Sequence, residues 1–190
     1  MTLTPLLESP QPQAEKPIPA PGPAPATHPP PDLDRPDIPR WLSPWLKRYP
    51  FLIRHPHPLC AHFTIVLMLA TTFFNVLYLI TGVQSFETAA FHCLGGGVLC
   101  TPATNLTGHF TRWLNYPGKL SQTMILEIRL SWALLAISLS AFIWRFLEPG
   151  ILLSLSGVGI IYLFLVLSVA PLVTVIGFFG GMLTFPLGEK

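Results

Sequence analysis

Charge is scarce in this sequence. Asp, Glu, Lys and Arg make up 11% of the 190 residues, against about 25% in soluble domains. With a mean hydropathy of +0.53, that balance points to the bilayer. A net charge of +2, with no basic patch interleaved with aromatics, points away from nucleic acid. Cysteine pairing signals are also missing. Cys60, Cys93 and Cys100 are odd in number and lack CxxC spacing. Cys93 and Cys100 share a helix face two turns apart, too far to bridge, so buried thiols are expected rather than a disulfide framework. There is no HExxH motif, phosphate-cradling glycine loop or Ser-His-Asp arrangement to support a hydrolase or kinase, and no internal repeat to favour a small transporter. The first 30 residues have no apolar signal-peptide core, so insertion is expected to come from internal spans.

Proline is abundant but segregated. Seventeen of the 22 prolines fall at or before Pro58. Residues 1–40 are proline-rich and nearly free of large apolar side chains, so they cannot bury enough surface to offset their ordering entropy. They are expected to form an extended, disordered leader with polyproline character, of the kind that lies along a partner. Residues 41–57 mix Trp41, Trp45, Tyr49 and Phe51 with Lys47, Arg48 and Arg54. Too short and too charged to cross a membrane, this segment reads as amphipathic and interfacial, with a plain basic linker as the alternative.

The remaining domain, 58–185, holds four apolar stretches near or above the roughly 20 residues a crossing requires. They run from about Leu59 to Ile80, Thr88 to Thr107, Met124 to Ile143, and within Ile151 to Leu183. The last exceeds 30 residues, long enough to tilt strongly, bend near Pro171, or hold one span and a second buried or re-entrant piece. No strand alternation appears, and backbone groups in lipid must be satisfied internally. The expected fold is an all-α integral membrane protein, a bundle of four transmembrane helices with a proline-rich leader. Arg35, Arg40, Lys47, Arg48 and Arg54 precede the first stretch, and Arg112 and Lys119 follow the second, while the opposite loops carry Glu87, Arg145 and Glu148. The positive-inside rule then places both termini in the cytoplasm. Gly95 to Gly97, and Gly177 with Gly181, suit close helix packing. The Asn105-Leu106-Thr107 glycosylation acceptor sits at the cytoplasmic end of a span and is set aside.

The stretch "HPHPLCAHF", residues 55–63, raises the question of a site. In antiparallel neighbouring helices, His62 and His109 fall at similar depth, with His57 just outside. His92 lies about 25 Å from His109 along a helix at 1.5 Å per residue, without a histidine companion. Arg112, Glu127 and Arg129 surround the same corner, and ionisable groups at such depth are functional candidates. His62 and His109 are the expected axial ligands of a b-type haem, with His57 as substitute or supporting group. Arg112 and Arg129 suit propionates, while a quinone headgroup would use a histidine or Glu127 for hydrogen bonds and proton uptake. The plainer reading remains open, in which Pro58 starts a helix, His57 caps it and His62 bonds a neighbouring carbonyl. Zinc fits less well, since it wants four closed ligands, or three with a water.

These residues resemble an uncharacterised, widespread bacterial family of four-helix membrane domains that open with HP-x-HPxxVHFPIAL and close near GGxLV. His57, Pro58, His62 and Phe63 fall at the matching spacing, and Gly180, Gly181 and Leu183 match the closing element. "TGHFTRWLNYPGK" and "ILEIRLSWALL" are similar to the family's second-to-third connection. The leading HP pairs are spaced more tightly here, Thr64 replaces a proline, and the histidine that often follows the closing glycines is missing. Some members are joined to haem domains of the cytochrome b5 type, so the resemblance implies redox work. The expected function is a redox subunit of a bacterial inner or intracytoplasmic membrane, binding haem b, a quinone or both near the cytoplasmic face and exchanging electrons with a partner. The alternative is a non-catalytic accessory subunit of a larger respiratory or photosynthetic complex, contacted through the leader.

Overall fold

Helix formation in this chain follows the apolar stretches, and the ends are set by local chemistry. The computed structural model describes residues 31–54, 56–116, 118, 121–153 and 157–184, with the side chains of 54, 183 and 184 left out. Residues 1–30 of the expected leader, His55 and Lys119 lie outside them. Every regular element among the described residues is a helix. These are α1 (Leu42–Arg48), α2 (Phe51–Arg54), α3 (Pro56–Thr81), α4 (Gln84–Asn115), α5 (Gln122–Leu147) and α6 (Gly157–Thr184). Pro56 opens α3, where its missing N–H costs nothing and its fixed φ favours the first turn. Gly82, at φ +69°, takes the left-handed position beyond the end of α3, and its N–H donates to the Tyr78 carbonyl at 2.8 Å; this closes the helix in a glycine cap. Val83 alone then separates it from α4. The Ser121 hydroxyl accepts from the Met124 N–H and caps α5.

The four long helices form an up-down-up-down bundle. Antiparallel pairing is read from contacts at both ends. Thr64 meets Thr104, and Phe74 stacks on Phe86. Phe142 stacks on Phe91 with ring centres 5.1 Å apart, Trp144 meets Tyr162, and Thr72 Oγ1 donates to the Val166 carbonyl at 3.2 Å. The core between them includes Met68, Leu94, Leu134, Val166, Val169 and Val173. Several buried polar side chains point inward without raising a penalty because they bond their own helix. Thr71, Thr101 and Ser138 donate to the carbonyls four residues back, as does the Asn75 amide.

Three helices are long and apolar enough to cross a membrane: Pro56–Thr81, Gln122–Leu147 and Gly157–Met182. The second expected stretch forms the longest helix, 32 residues or about 48 Å at 1.5 Å each. It falls outside that set because Glu87, His92, Thr101, Thr104, Asn105, Thr107 and His109 dilute its hydropathy. The long fourth stretch resolves as one span preceded by a short buried piece, one of the expected arrangements. It contains no re-entrant piece among its described residues, and α6 runs through Pro171 unbroken. Its extra length forms a turn at the start, where Ile151 and Leu152 are buried and the Tyr78 hydroxyl donates to the Leu152 carbonyl at 3.4 Å.

Glu87 and Arg145, expected in loops, lie inside α4 and α5 and form an ion pair across them, with side chains only 3% and 11% exposed. Arg145 Nη2 donates to Glu87 Oε2 at 2.7 Å and its Nε donates to the other carboxylate oxygen, a bidentate fork. Gln84 Nε2 adds a third donor at 2.9 Å, and the guanidinium carbon stands 5.4 Å from the Phe91 ring centre. Removing one partner from such a pair strands the other charge. Glu87→Ala is therefore expected to cost about 3–5 kcal/mol, seen as a marked fall in the thermal midpoint of detergent-solubilised protein. Glu87→Leu with Arg145→Leu should recover most of that loss. Equal midpoints for wild type and Glu87→Ala would mean that the pair holds nothing.

Candidate functional site

The residues of interest gather at the end of the bundle where α3 starts and α4 finishes. Close approach of those two helices shapes the site. Gly108 leaves room for the half-buried His57 ring, since a Cβ there would stand 3.0 Å from its Cε1. His57 Nδ1 lies 3.2 Å from the Thr104 carbonyl. A carbonyl only accepts, so Nδ1 carries the hydrogen and the neutral ring presents a lone pair at Nε2. Two helical turns beyond His57 on α3, the Thr64 hydroxyl hydrogen-bonds that of Thr104 at 2.8 Å.

Thr104, Gly108 and Arg112 follow one another at four-residue spacing along α4, and the half-buried Arg112 stands near enough for its charge to act on His57 and Glu127. Glu127, also half-buried, lies seven residues before the buried Leu134 on the inward face of α5. A Cβ at Gly180 of α6 would stand 3.3 Å from its Oε1, so the glycine gives the carboxylate its space. Asn105 is 8% exposed, and its Nδ2 is buried with no hydrogen-bond partner. Asn105 precedes Arg112 by seven residues, so the two share a face of α4. The result is an acid, a guanidinium, an imidazole lone pair and an unused amide donor at one end of the bundle.

The other expected residues stand elsewhere. His62 is exposed, two residues before Thr64, and hence about 200° round α3 from the side that meets α4. Its Nδ1 lies 2.5 Å from the Pro58 carbonyl of its own helix. His109 is exposed about 100° round α4 from Gly108. The two histidines share a depth but not a direction. Arg129 is exposed, about 200° round α5 from Glu127. Among the described residues no group of three or more His, Cys, Asp or Glu is placed to hold a metal ion.

Sequence reasoning missed Asn105, Thr104 and Gly108. Asn105 was visible only as a glycosylation acceptor; its seven-residue spacing to Arg112 was the available clue. The pairing of Gly180 with Glu127 had no signal, because it depends on how α6 lies against α5.

Over residues 54–188 the chain matches the family described as Predicted membrane protein (DUF2231). It belongs to that family of membrane proteins, and contact with the lipid bilayer follows. No curated protein and no solved structure matches it.

The seat of His57 can be tested chemically. Under carbethoxylation mapped by mass spectrometry, His57 is expected to react several-fold more slowly than the exposed His109. Gly108→Val should erase the difference by driving the ring off Thr104. Equal rates in the wild type would show that His57 is not held there.

Proposed function

We propose that all four long helices cross the bilayer and that the domain is a redox subunit holding a quinone headgroup at the His57–Glu127 end. The observation that carries this reading is the buried, unpartnered Asn105 amide on the face of α4 that also carries Arg112, whose charge reaches Glu127. An unused donor in an apolar interior is costly unless something accepts from it, and a quinone carbonyl is an acceptor. Quinone reduction takes up two electrons and two protons, and quinol oxidation releases them. The Nε2 of His57 and the carboxylate of Glu127 are suited to exchange the protons, and a partner redox protein exchanges the electrons. Relatives joined to haem domains, as the sequence resemblance implies, fit such a partner. Haem b between His62 and His109 draws less support, because their side chains diverge.

The crossing of α4 rests on its 32-residue length and on its place between α3 and α5, both of which qualify as spans. Arg40, Lys47, Arg48 and Arg112 gather at one end, Glu87 and Arg145 at the other; the positive-inside rule then puts the site and both termini at the cytoplasmic face of a bacterial inner membrane. Topology reporters inserted at Gly82 and Gly118 are expected on opposite sides of the membrane. Finding both on one side would remove the crossing of α4.

For the ligand, decylubiquinone and a menaquinone analogue should each be titrated into the protein in nanodiscs, with saturable binding of at least one expected. Asn105→Leu should weaken it roughly tenfold, the worth of one hydrogen bond, while leaving the thermal midpoint unchanged or higher. Glu127→Gln and His57→Leu should abolish proton-coupled turnover with the partner. No saturable binding would sink the quinone reading and favour an accessory role in a larger complex. A sharp dithionite-reduced absorption band lost in His62→Ala or His109→Ala would replace quinone with haem.

A further inference from the structure

Large apolar side chains are exposed along all four long helices, where lipid covers a membrane domain. One exposed aromatic stripe lies off those helices, on α1. The inward face of α1 is explained: Leu46 is completely buried against Ile38 and Leu114 of α4, with Leu42, Ile53 and Phe110 closing round them. Its outward face has no such account. Trp41 and Trp45 are 70% and 59% exposed, and Tyr49, one further turn on, stacks on Trp45 with ring centres 6.0 Å apart.

Position limits what can cover this stripe. α1 rests on the last turn of α4 and continues through α2 into Pro56, the first residue of an apolar span. It therefore stands where that span leaves the hydrocarbon, the level at which Trp and Tyr place an apolar ring body and a polar edge. Charge limits the occupant further. Lys47 is taken by Asp34 at 2.8 Å, Arg35 Nε lies 3.5 Å from Asp37, and the Asp32 carboxylate accepts from the Asp34 N–H. Arg40 and Arg48 are exposed and make no ion pair among the described residues. Arg40 adjoins Trp41, and Arg48 follows Trp45 by three residues, so a guanidinium flanks each end of the stripe.

We propose that the Trp41–Trp45–Tyr49 face of α1 is a lipid-binding surface seated in the headgroup layer, with Arg40 and Arg48 gripping the phosphates of anionic phospholipids. Guanidinium suits the task because its planar fork matches two phosphate oxygens at once. The side chains involved point away from the Leu46 core, so substitutions there leave the fold intact. The proposal is independent of the quinone reading.

The test uses the full chain, released from micelles of mixed phosphatidylcholine and phosphatidylglycerol, with retained lipids counted by native mass spectrometry. Wild type is expected to enrich phosphatidylglycerol. Arg40→Gln with Arg48→Gln should lose that preference, by roughly fivefold per arginine. Trp41→Ala with Trp45→Ala should reduce retention of both lipids. An unchanged preference in the double arginine variant overturns the proposal. So does a dimer, seen in the same spectra, that disappears with the double tryptophan variant, since the stripe would then cover a second copy. Thermal midpoints matching wild type confirm that each variant is folded.

Discussion

Between helices in lipid there is no water-driven attraction, because the tails are as apolar as leucine. What holds this bundle is contact at short range, and it is set where α3 meets α4. A Cβ at Gly97 would stand 2.8 Å from Met68 Cε, one at Gly96 3.3 Å from a Leu67 methyl, and one at Gly108 3.0 Å from the His57 ring. Each missing side chain is occupied by its neighbour across the interface. That closeness brings the Thr64 and Thr104 hydroxyls within hydrogen-bond reach and sets the His57 ring against a carbonyl of α4. On the other flank of α4, Gly95 does the same for Phe142. This helix is polar along much of its length and still packs on both sides.

Polar groups of different kinds mark the two ends. At one, Glu87 and Arg145 neutralise each other in a bidentate pair, and both carboxylate oxygens accept hydrogen bonds. At the other, Asn105 keeps an unused donor. Both arrangements are costly in an apolar interior, but only the first is self-contained. That contrast assigns a structural role to the Glu87 end and directs the functional reading to the His57 end.

Periodic apolar runs made α3, α5 and α6 readable from the sequence to within a few residues at most ends, since length and hydropathy are local properties. Depth along an axis was readable too, and the Arg112 charge acts on both His57 and Glu127. Direction round an axis was not. His62 and His109 share a level yet face apart, because the facing side of a helix is chosen by its neighbours, and those neighbours are set by glycines that the sequence shows only as small. Glu87 and Arg145 were misplaced for a related reason. Charge implied an end of a span, whereas a partner on the next helix allowed both to lie inside.

The last turn of α4 is tied down by the segment that precedes α3. Arg35 Nη2 donates to the Trp113 and Leu114 carbonyls at 3.2 and 3.3 Å, and Asn115 Nδ2 donates to the Ile53 carbonyl at 2.9 Å. At its other end the helix hangs from the two-residue link through Gly82. A rod clamped at both ends cannot spin about its own axis without breaking a clamp. The compass bearing of Asn105 and Arg112 is thus fixed from outside the site, and any loosening of Arg35 would be felt there as torsion.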